Sequence, residues 1–326
     1  MTNFLDSSIG LKKQVDYVTP IVVDRFLEFT GGAFKLDKAS KQGEGLRVGS
    51  RLARSARRVV PFSSITGDIE LEACTKGLGT FWELCMGAGA STLVSAGLYQ
   101  QVFTFADTLP AATIQEGIWD GSAVAAYTYD GCQVGSFSIE AAEGDIVKLK
   151  ASIVGRALAT ATAYATPSYV ASNGLFTFAH AAFYAGGTLT APTTTVLGSA
   201  SGTALATVKS LTINVDNQLK DGPQIAGLPT ERKPGLRTVT ASATVEYSGS
   251  TFRDAIIAET EMLMLATFTN GTDVLQVIIP ATKLDGDLPE GGPDVIASQA
   301  IKASVLDNLT AAQPLWIVTR TSDTAL

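Results

Sequence analysis

Histidine is nearly absent from this chain, with one residue, His180, in 326. It lies in the apolar run LFTFAHAAFYAGG, where a structural imidazole is a simpler reading than a general base. A Ser/His/Asp site would have to be built on it, and no GxSxG turn accompanies it. Cysteine is scarce too. Cys74, Cys85 and Cys132 are odd in number and form no CxxC pair, which argues against a disulfide framework or a zinc site and for buried free thiols. No apolar run reaches the roughly 18 residues of a membrane helix. The opening segment MTNFLDSSIGLKKQVDYVTP is mixed and polar, so no signal peptide is expected. CMGAGASTL has the glycines of a phosphate turn, but GxGxxG and the Walker lysine are missing, which leaves a plain loop. An enzyme is therefore not expected, nor a cofactor.

Charge is sparse as well. Only 17% of residues are charged and 46% are hydrophobic, so the chain has the material for a core and not the solvation of a disordered protein. Many short alternating runs of Val, Ala, Thr and Ser, punctuated by 31 glycines, predict short strands joined by tight turns. The expected class is mainly β, of α+β type. Leu78, Phe81, Trp82 and Cys85 share a face at three- and four-residue spacing and predict a helix in TKGLGTFWELCMG. A second helix is expected in GSTFRDAIIAETEMLMLATF, with Phe252, Ile256 and Ile257 on its apolar face. Residues 157–175, rich in Ala, Thr and Ser, read as a linker. The chain then divides into residues 1–165, with a basic arm at 35–58, and residues 166–326, comprising the linker and a second unit. GDIELEACTKGLGTFWELC matches ASATVEYSGSTFRDAIIAE in element type, with few identities, so the order of elements points to an internal duplication.

The net charge of −7 hides an asymmetry. Lys35, Lys38, Lys41, Arg47, Arg51, Arg54, Arg57 and Arg58 stand against Asp37 and Glu44, a local balance of +6 that leaves −13 for the rest. A basic arm on an acidic body suits binding to other copies of the same chain. A solvated loop and a nucleic-acid contact are the alternatives, the second weakened by the lack of interleaved aromatics. In ITGDIELEA, strand alternation places Asp68, Glu70 and Glu72 on one face and Ile69 and Leu71 on the other. Such a face must be wet or matched by cations, and no equally dense cationic strand is evident. DGDLPEGGPD gathers Asp285, Asp287, Glu290 and Asp294, hard ligands of the kind calcium takes, but in no EF-hand spacing, and Pro289 and Pro293 suit a hairpin connection.

In VTPIVVDRFLEF, GLRVGSRLARSARR, ITGDIELEACTKGLGTFWELCMG, YQQVFTFADTLPAATIQEG, YDGCQVGSFSIEAAEGD and SLTINVDNQL, the chain resembles the major tail tube proteins of long-tailed bacteriophages. The likeness covers most of the chain and includes no catalytic motif. It implies β-sandwich or half-barrel units, each with a flanking helix, whose strands join those of neighbouring copies in a barrel around a channel. Rings of six units would stack into a tube in the virion tail, assembled in the host cytoplasm. Three chains would supply six units if the duplication is real, and six chains if it is not. The implied partners are the chain itself, the tape measure protein in the channel, tail terminator and baseplate or tip proteins at the ends, and double-stranded DNA in transit; no membrane is involved. A wall that DNA slides along should repel phosphate, which makes Asp68, Glu70, Glu72 and Glu246 candidate lumen residues, with outer solvent as the alternative. The cationic residues of the arm are candidates for ring stacking. The tube of a contractile secretion-type injection machine is the alternative function; an outer-membrane barrel and a β-scaffold hydrolase lack an export signal and a catalytic constellation respectively.

Overall fold

The computed structural model describes residues 7–49, 51–171, 173–202, 204–205, 207–220, 227–247, 249–286, 298–324 and 326. The first half contains β1 (Ser8–Lys13), β2 (Arg25–Leu27), β3 (Phe29–Gln42), β4 (Arg58–Glu72), helix α1 (Gly79–Met86), β5 (Gly87–Ser95), β6 (Leu98–Phe105), β7 (Ala112–Trp119), β8 (Val124–Ala142), β9 (Lys148–Gly155) and β10 (Ala157–Ala159). The second half contains β11 (Ala181–Ala185), β12 (Leu189–Thr190), β13 (Ser199–Ala200), β14 (Ala204–Leu205), β15 (Val208–Asp216), β16 (Thr238–Glu246), helix α2 (Thr251–Ala258), β17 (Met262–Asn270), β18 (Asp273–Gly286), β19 (Ser298–Val305) and β20 (Trp316–Thr321). The molecule is mainly β with two short helices, as its composition leads one to expect.

One antiparallel sheet of eight strands runs through both halves in the order β3-β4-β9-β8-β15-β16-β19-β18. Its strands alternate cleanly. In β16, Val239, Ala241, Ala243 and Val245 are buried, while Thr238, Thr240 and Ser242 are exposed and Thr244 and Glu246 half-buried on the other face. That is the period-two signature of a sheet with one wet side. The apolar side packs on two outer layers. In the first half these are β2-β1-β7-β8-β10, and in the second β5-β6-β20-β18-β17-β11-β14. A single apolar core, with Ile65, Ile69 and Leu71 at one end and Val245, Phe268 and Leu275 at the other, fills the space between.

The same pairing scheme occurs twice. In the first half a hairpin (β3·β4) is followed by a helix, then a hairpin (β7·β8), then a strand (β9) that inserts between β4 and β8. In the second half β15·β16, α2, β17·β18 and β19 follow in the same order, without a counterpart of the hairpin β5·β6 that stands between α1 and β7 in the first. Even the irregularity recurs, since the register slips between Phe29 and Gly31 in β3 and between Val208 and Ser210 in β15. Glu72 faces the first residue of β9, Lys148, and Glu246 faces the first residue of β19, Ser298.

The halves are also interlocked. Hairpin β5·β6, from the first half, extends the outer layer of the second through β20, which pairs with β6 on one side and β18 on the other. Beyond β20, Asp323 accepts a hydrogen bond from the Gly77 N–H at 3.0 Å and lies 3.4 Å from Arg25. The sequence runs AVAAYTYDG and CQVGSFSIEAA read as two strands, but both belong to β8. Gly131, at φ +57°, marks where β8 leaves the outer layer and joins the inner sheet; a Cβ there would come within 2.9 Å of the Tyr17 carbonyl oxygen. The segment around β12 and β13 lies over Trp316 and Val318, tied down by Gln276, which exchanges two hydrogen bonds of 3.0 Å with the backbone of Gly198.

The helices differ. All eight residues of α1 are buried, so it is enclosed by the core rather than lying on it. In α2 only Ala255 is buried; Phe252 and Ile256 pack at the core margin and Ile257 is 70% exposed. The expectation that Ile257 shares their face is corrected by helical geometry, because one residue further turns the side chain about 100°.

Candidate functional site

The polar face of the eight-stranded sheet collects the acidic residues singled out from the sequence. Asp68, Glu70 and Glu72 on β4 and Glu246 on β16 all point to this side, with three strands between them. The expectation that no cationic strand faces them is corrected by β9, which sets Lys150 beside Glu70 and Lys148 beside Glu72. Lys150 Nζ donates to Glu70 Oε1 at 2.8 Å and lies 4.0 Å from Asp68, whose other oxygen accepts from Ser152 Oγ at 2.5 Å. The Glu70 carboxylate pushes the Lys150 ammonium above its ordinary value, chiefly through that hydrogen bond. Lys148 is raised in the same way by Asp145, 2.6 Å away. Lys209 meets Glu246 at 3.0 Å. Lys35 meets Asp37 at 2.5 Å and, together with Thr66, holds that carboxyl below its usual range. Serines and threonines of β8, β15 and β16 fill the rest. The face is thus wet and mixed: Lys35, Lys150 and Lys209 are tied to carboxylates on their own strand or the next and Lys148 to the turn before β9, while Lys302 of β19, exposed on the same face, has no ion pair among the described residues.

These charges are exposed or half-exposed, so each pair adds little to stability. Their effect is on what can approach. A lysine already held by a carboxylate offers a passing phosphate less than a free one, because binding the phosphate would first have to break that pair.

The arm is a continuation of hairpin β3·β4. β9 pairs with β4 only from Ile65 to Glu72, so Lys38–Gln42 and Arg58–Ser63 extend past the sheet as a two-stranded ribbon, tipped by residues 43–57. Lys38, Lys41, Arg47, Arg51, Arg57 and Arg58 are exposed and Arg54 half-exposed, whereas Lys35 sits on the sheet proper. Leu46, Val48 and Leu52, between these cations, are at least 84% exposed. Charge patterning marks the cations of this tip, and GLRVGSRLARS displays the exposed apolar side chains among them just as plainly.

The corresponding loop of the second half, between β15 and β16, behaves oppositely. Asn217, wholly buried, donates from Nδ2 to the carbonyls of Cys85 at 3.2 Å and Val134 at 3.1 Å and accepts from Arg237 Nε at 2.9 Å. Gln133 holds the backbone of Arg232 from both sides, accepting from its N–H and donating to its carbonyl, each at 3.0 Å. Arg237 also donates to the Ala106 carbonyl and lies over the Phe105 ring, 4.7 Å from its centre. This loop clamps the second half onto the first.

The remaining candidates carry no chemistry of their own here. His180 Nδ1 accepts from the Thr177 N–H at 3.2 Å and so caps a single 3-10 turn, Phe178–His180. The three cysteines are buried and free; burial raises the thiols, Cys74 to about 11 and Cys85 well above the ordinary value. Among the described residues no group of three or more His, Cys, Asp and Glu could hold a metal ion, and no helix is long and apolar enough to cross a membrane. In the acidic turn considered for calcium, Asp287, Glu290 and Asp294 lie outside the described residues.

No curated protein matches the chain. Residues 5–305 match the family model described as phage tail tube protein, a span that includes the arm, both helices and all eight strands of the polar-faced sheet. The chain therefore belongs to the phage tail tube proteins, a family of structural components of the virion tail and not of enzymes.

Proposed function

We propose that three copies of this chain close a ring around a polar channel, and that rings stack into the tube through which the phage genome leaves. The observation that carries this is the junction inside the chain. There β8 of the first unit pairs with β15 of the second over seven residues, Ser136 to Ala142 against Asp216 to Ser210. By the recurring scheme, β18 corresponds to β8 and β3 to β15. Among the described residues β3 has no strand partner beyond β4, and Lys283–Gly286 of β18 pair only with β19. A ring closes when the β18 edge of one copy takes the β3 edge of the next, as β8 takes β15. Exposed edges of this kind are templates for pairing with another chain.

Strand number favours three copies over one or six. Eight strands would make a barrel filled by its own side chains. Three copies bring twenty-four strands, which at about 4.8 Å spacing give a circumference of about 115 Å and a width of about 37 Å before tilt widens it. That leaves room for a double helix. Six copies would about double the width, far beyond what a duplex fills.

In this reading the polar face lines the channel, with Asp68, Glu70, Glu72 and Glu246 as lumen residues, and the tandem units are residues 1–165 and 166–326. The tape measure protein would occupy the channel during assembly in the host cytoplasm, terminator and baseplate or tip proteins would cap the ends, and DNA would pass without being held. The arm, carrying Lys38, Lys41, Arg47, Arg51, Arg54, Arg57 and Arg58, would cross to the next ring, with Lys35 at its root. Nothing in the fold or the family match favours a secretion-machine tube. Electron microscopy of the purified protein at rising concentration tests the proposal: rings and stacked tubes are expected, and a protein that stays monomeric at all concentrations would refute it.

A further inference from the structure

The ends of the eight-stranded sheet carry opposite charge. The arm leaves from the end where β4 begins. Around the other end stand Glu28, Glu72, Glu140, Glu143, Asp145 and Glu246, against Lys148 and Lys209, each already paired with one of them. Lys76, which lines a pocket with Glu28, is a third cation here, so among the described residues six carboxylates and three lysines leave −3 on this rim. On the arm beyond Asp37, seven cations stand against Glu44, and no ion pair to any of those cations is present among the described residues.

The rim differs between the two units. In the first, the corner between the end of β4 and the start of β9 is plugged by the chain itself. Phe176, 2% exposed, donates its N–H to the Ala73 carbonyl at 2.9 Å and accepts from the Val147 N–H at 3.0 Å, and the Gly174 carbonyl accepts from the Thr75 N–H at 2.9 Å. In the second unit no such segment crosses the corresponding corner among the described residues. A groove of about 210 Å³ opens there instead, lined by Leu205, Val245, Glu246, Tyr247, Phe252 and Gln299. Its walls mix apolar Leu205, Val245 and Phe252 with Glu246, Thr251 and Gln299, and it is continuous with the acidic rim, since Glu143 donates its N–H to the carbonyl of Lys209, the partner of Glu246. Each chain therefore has one arm bearing exposed Leu46 and Val48 among arginines, and one groove that wants apolar side chains with cations beside them.

We propose that the arm of one copy seats in the α2-side groove of a second copy, one ring along the tube, with Leu46 and Val48 entering the groove and Arg47 and Arg51 meeting Glu246 and the acidic rim. This rests on the ring reading above and names the receptor that stacking uses. Because arm and groove lie at opposite ends of the sheet, the contact is head-to-tail: two arm-bearing ends repel, as do two acidic rims, so one polarity of stacking survives.

The test is covalent capture in assembled tubes. Val48→Cys with Tyr247→Cys, on a background whose native thiols are buried, should give a ladder of chain-to-chain disulfides on oxidation, and neither single variant should. Tubes that form normally but link Val48→Cys to Glu143→Cys, and not to Tyr247→Cys, would overturn the groove assignment while leaving stacking intact. Linkage of Tyr247→Cys to Glu290→Cys within one chain would show the groove filled by the chain's own turn and would equally overturn it. Wild-type protein that makes rings or tubes in no condition would instead overturn the ring reading, and this with it. If the cysteine pair disturbs folding, charge exchange decides: Arg51→Glu alone should cut tube yield roughly tenfold at low salt, and adding Glu246→Arg should restore it. Failure of the exchange to rescue counts against the contact.

Discussion

Two hairpin loops occupy similar places in the strand order of the two halves and do opposite things. The loop between β15 and β16 folds back and buries Asn217 against Cys85 and Val134, while the tip between β3 and β4 stands in solvent with Leu46 and Val48 bare. The helices that follow show a matching contrast, α1 enclosed and α2 largely on the surface. One scheme of pairing thus serves two tasks. The first half is closed at its rim and reaches outward; the second clamps inward, and among the described residues no segment crosses its rim. A folding unit need not complete its surfaces when a sibling can, and a free edge or exposed apolar tip reads as unfinished interface rather than as poor packing.

The contrast can be broken hardest at the helices. Trp82 is 1% exposed within α1, so Trp82→Ala should cost about 3–5 kcal/mol of unfolding free energy, whereas Phe252→Ala in α2, beside a core cavity of about 30 Å³, should cost about 1–2 kcal/mol. Denaturant titration of the two variants compares them, and equal losses would contradict the asymmetry. Next come the loops. Asn217→Ala leaves two buried carbonyls and Arg237 without their partner and should cost about 2–3 kcal/mol. Replacing residues 43–57 by a short turn should change stability by less than about 0.5 kcal/mol and yet abolish stacking; rings of this deletion that still build normal-length tubes would remove the arm from the account.

A smaller effect is expected on the polar face. Glu70→Lys with Glu72→Lys frees Lys150 and adds two cations, so rings should still form, but genome ejection from particles carrying the variant should slow. Unchanged ejection kinetics would move this face away from the channel. The smallest is a pH effect in the closed unit. Burial pushes the Glu116 carboxyl above its ordinary value, partly offset by the hydrogen bond at 3.0 Å from the Tyr129 hydroxyl. A carboxyl raised on folding is easiest to bury when protonated, so stability falls as pH rises from the unfolded value through the folded one. Glu116→Gln should flatten that part of the profile and raise stability at neutral pH, read from thermal melts across pH 4 to 8; an unchanged slope would contradict it.

Much of this architecture is visible in local pattern. The helical spacing of Leu78, Phe81 and Trp82, the alternation in TVTASATVE and the recurring order of elements each follow from neighbours a few residues apart. What local pattern does not specify is the partner across a long separation. DIVKLKASIV shows Lys148 and Lys150 on one face as plainly as ITGDIELEA shows the carboxylates, but β4 and β9 lie about eighty residues apart and only their pairing brings Lys150 to Glu70. The same applies to β6, which local reading assigns to the first half and which β20 draws into the outer layer of the second, and to GAGASTL, expected as a plain loop, which is a strand, β5, because it pairs with β6. Candidate acidic and basic residues were thus identifiable from charge and alternation, while the groove beside Tyr247 was not, because a groove is defined by what fails to fill it.

The most direct measurement is the symmetry of an assembled ring, seen end-on by electron microscopy and weighed by native mass spectrometry. Three chains forming six similar lobes around an open channel is the expected result. Six chains per ring, or a closed particle without a channel, would contradict the claim that each chain carries two tube units joined as siblings join across the ring.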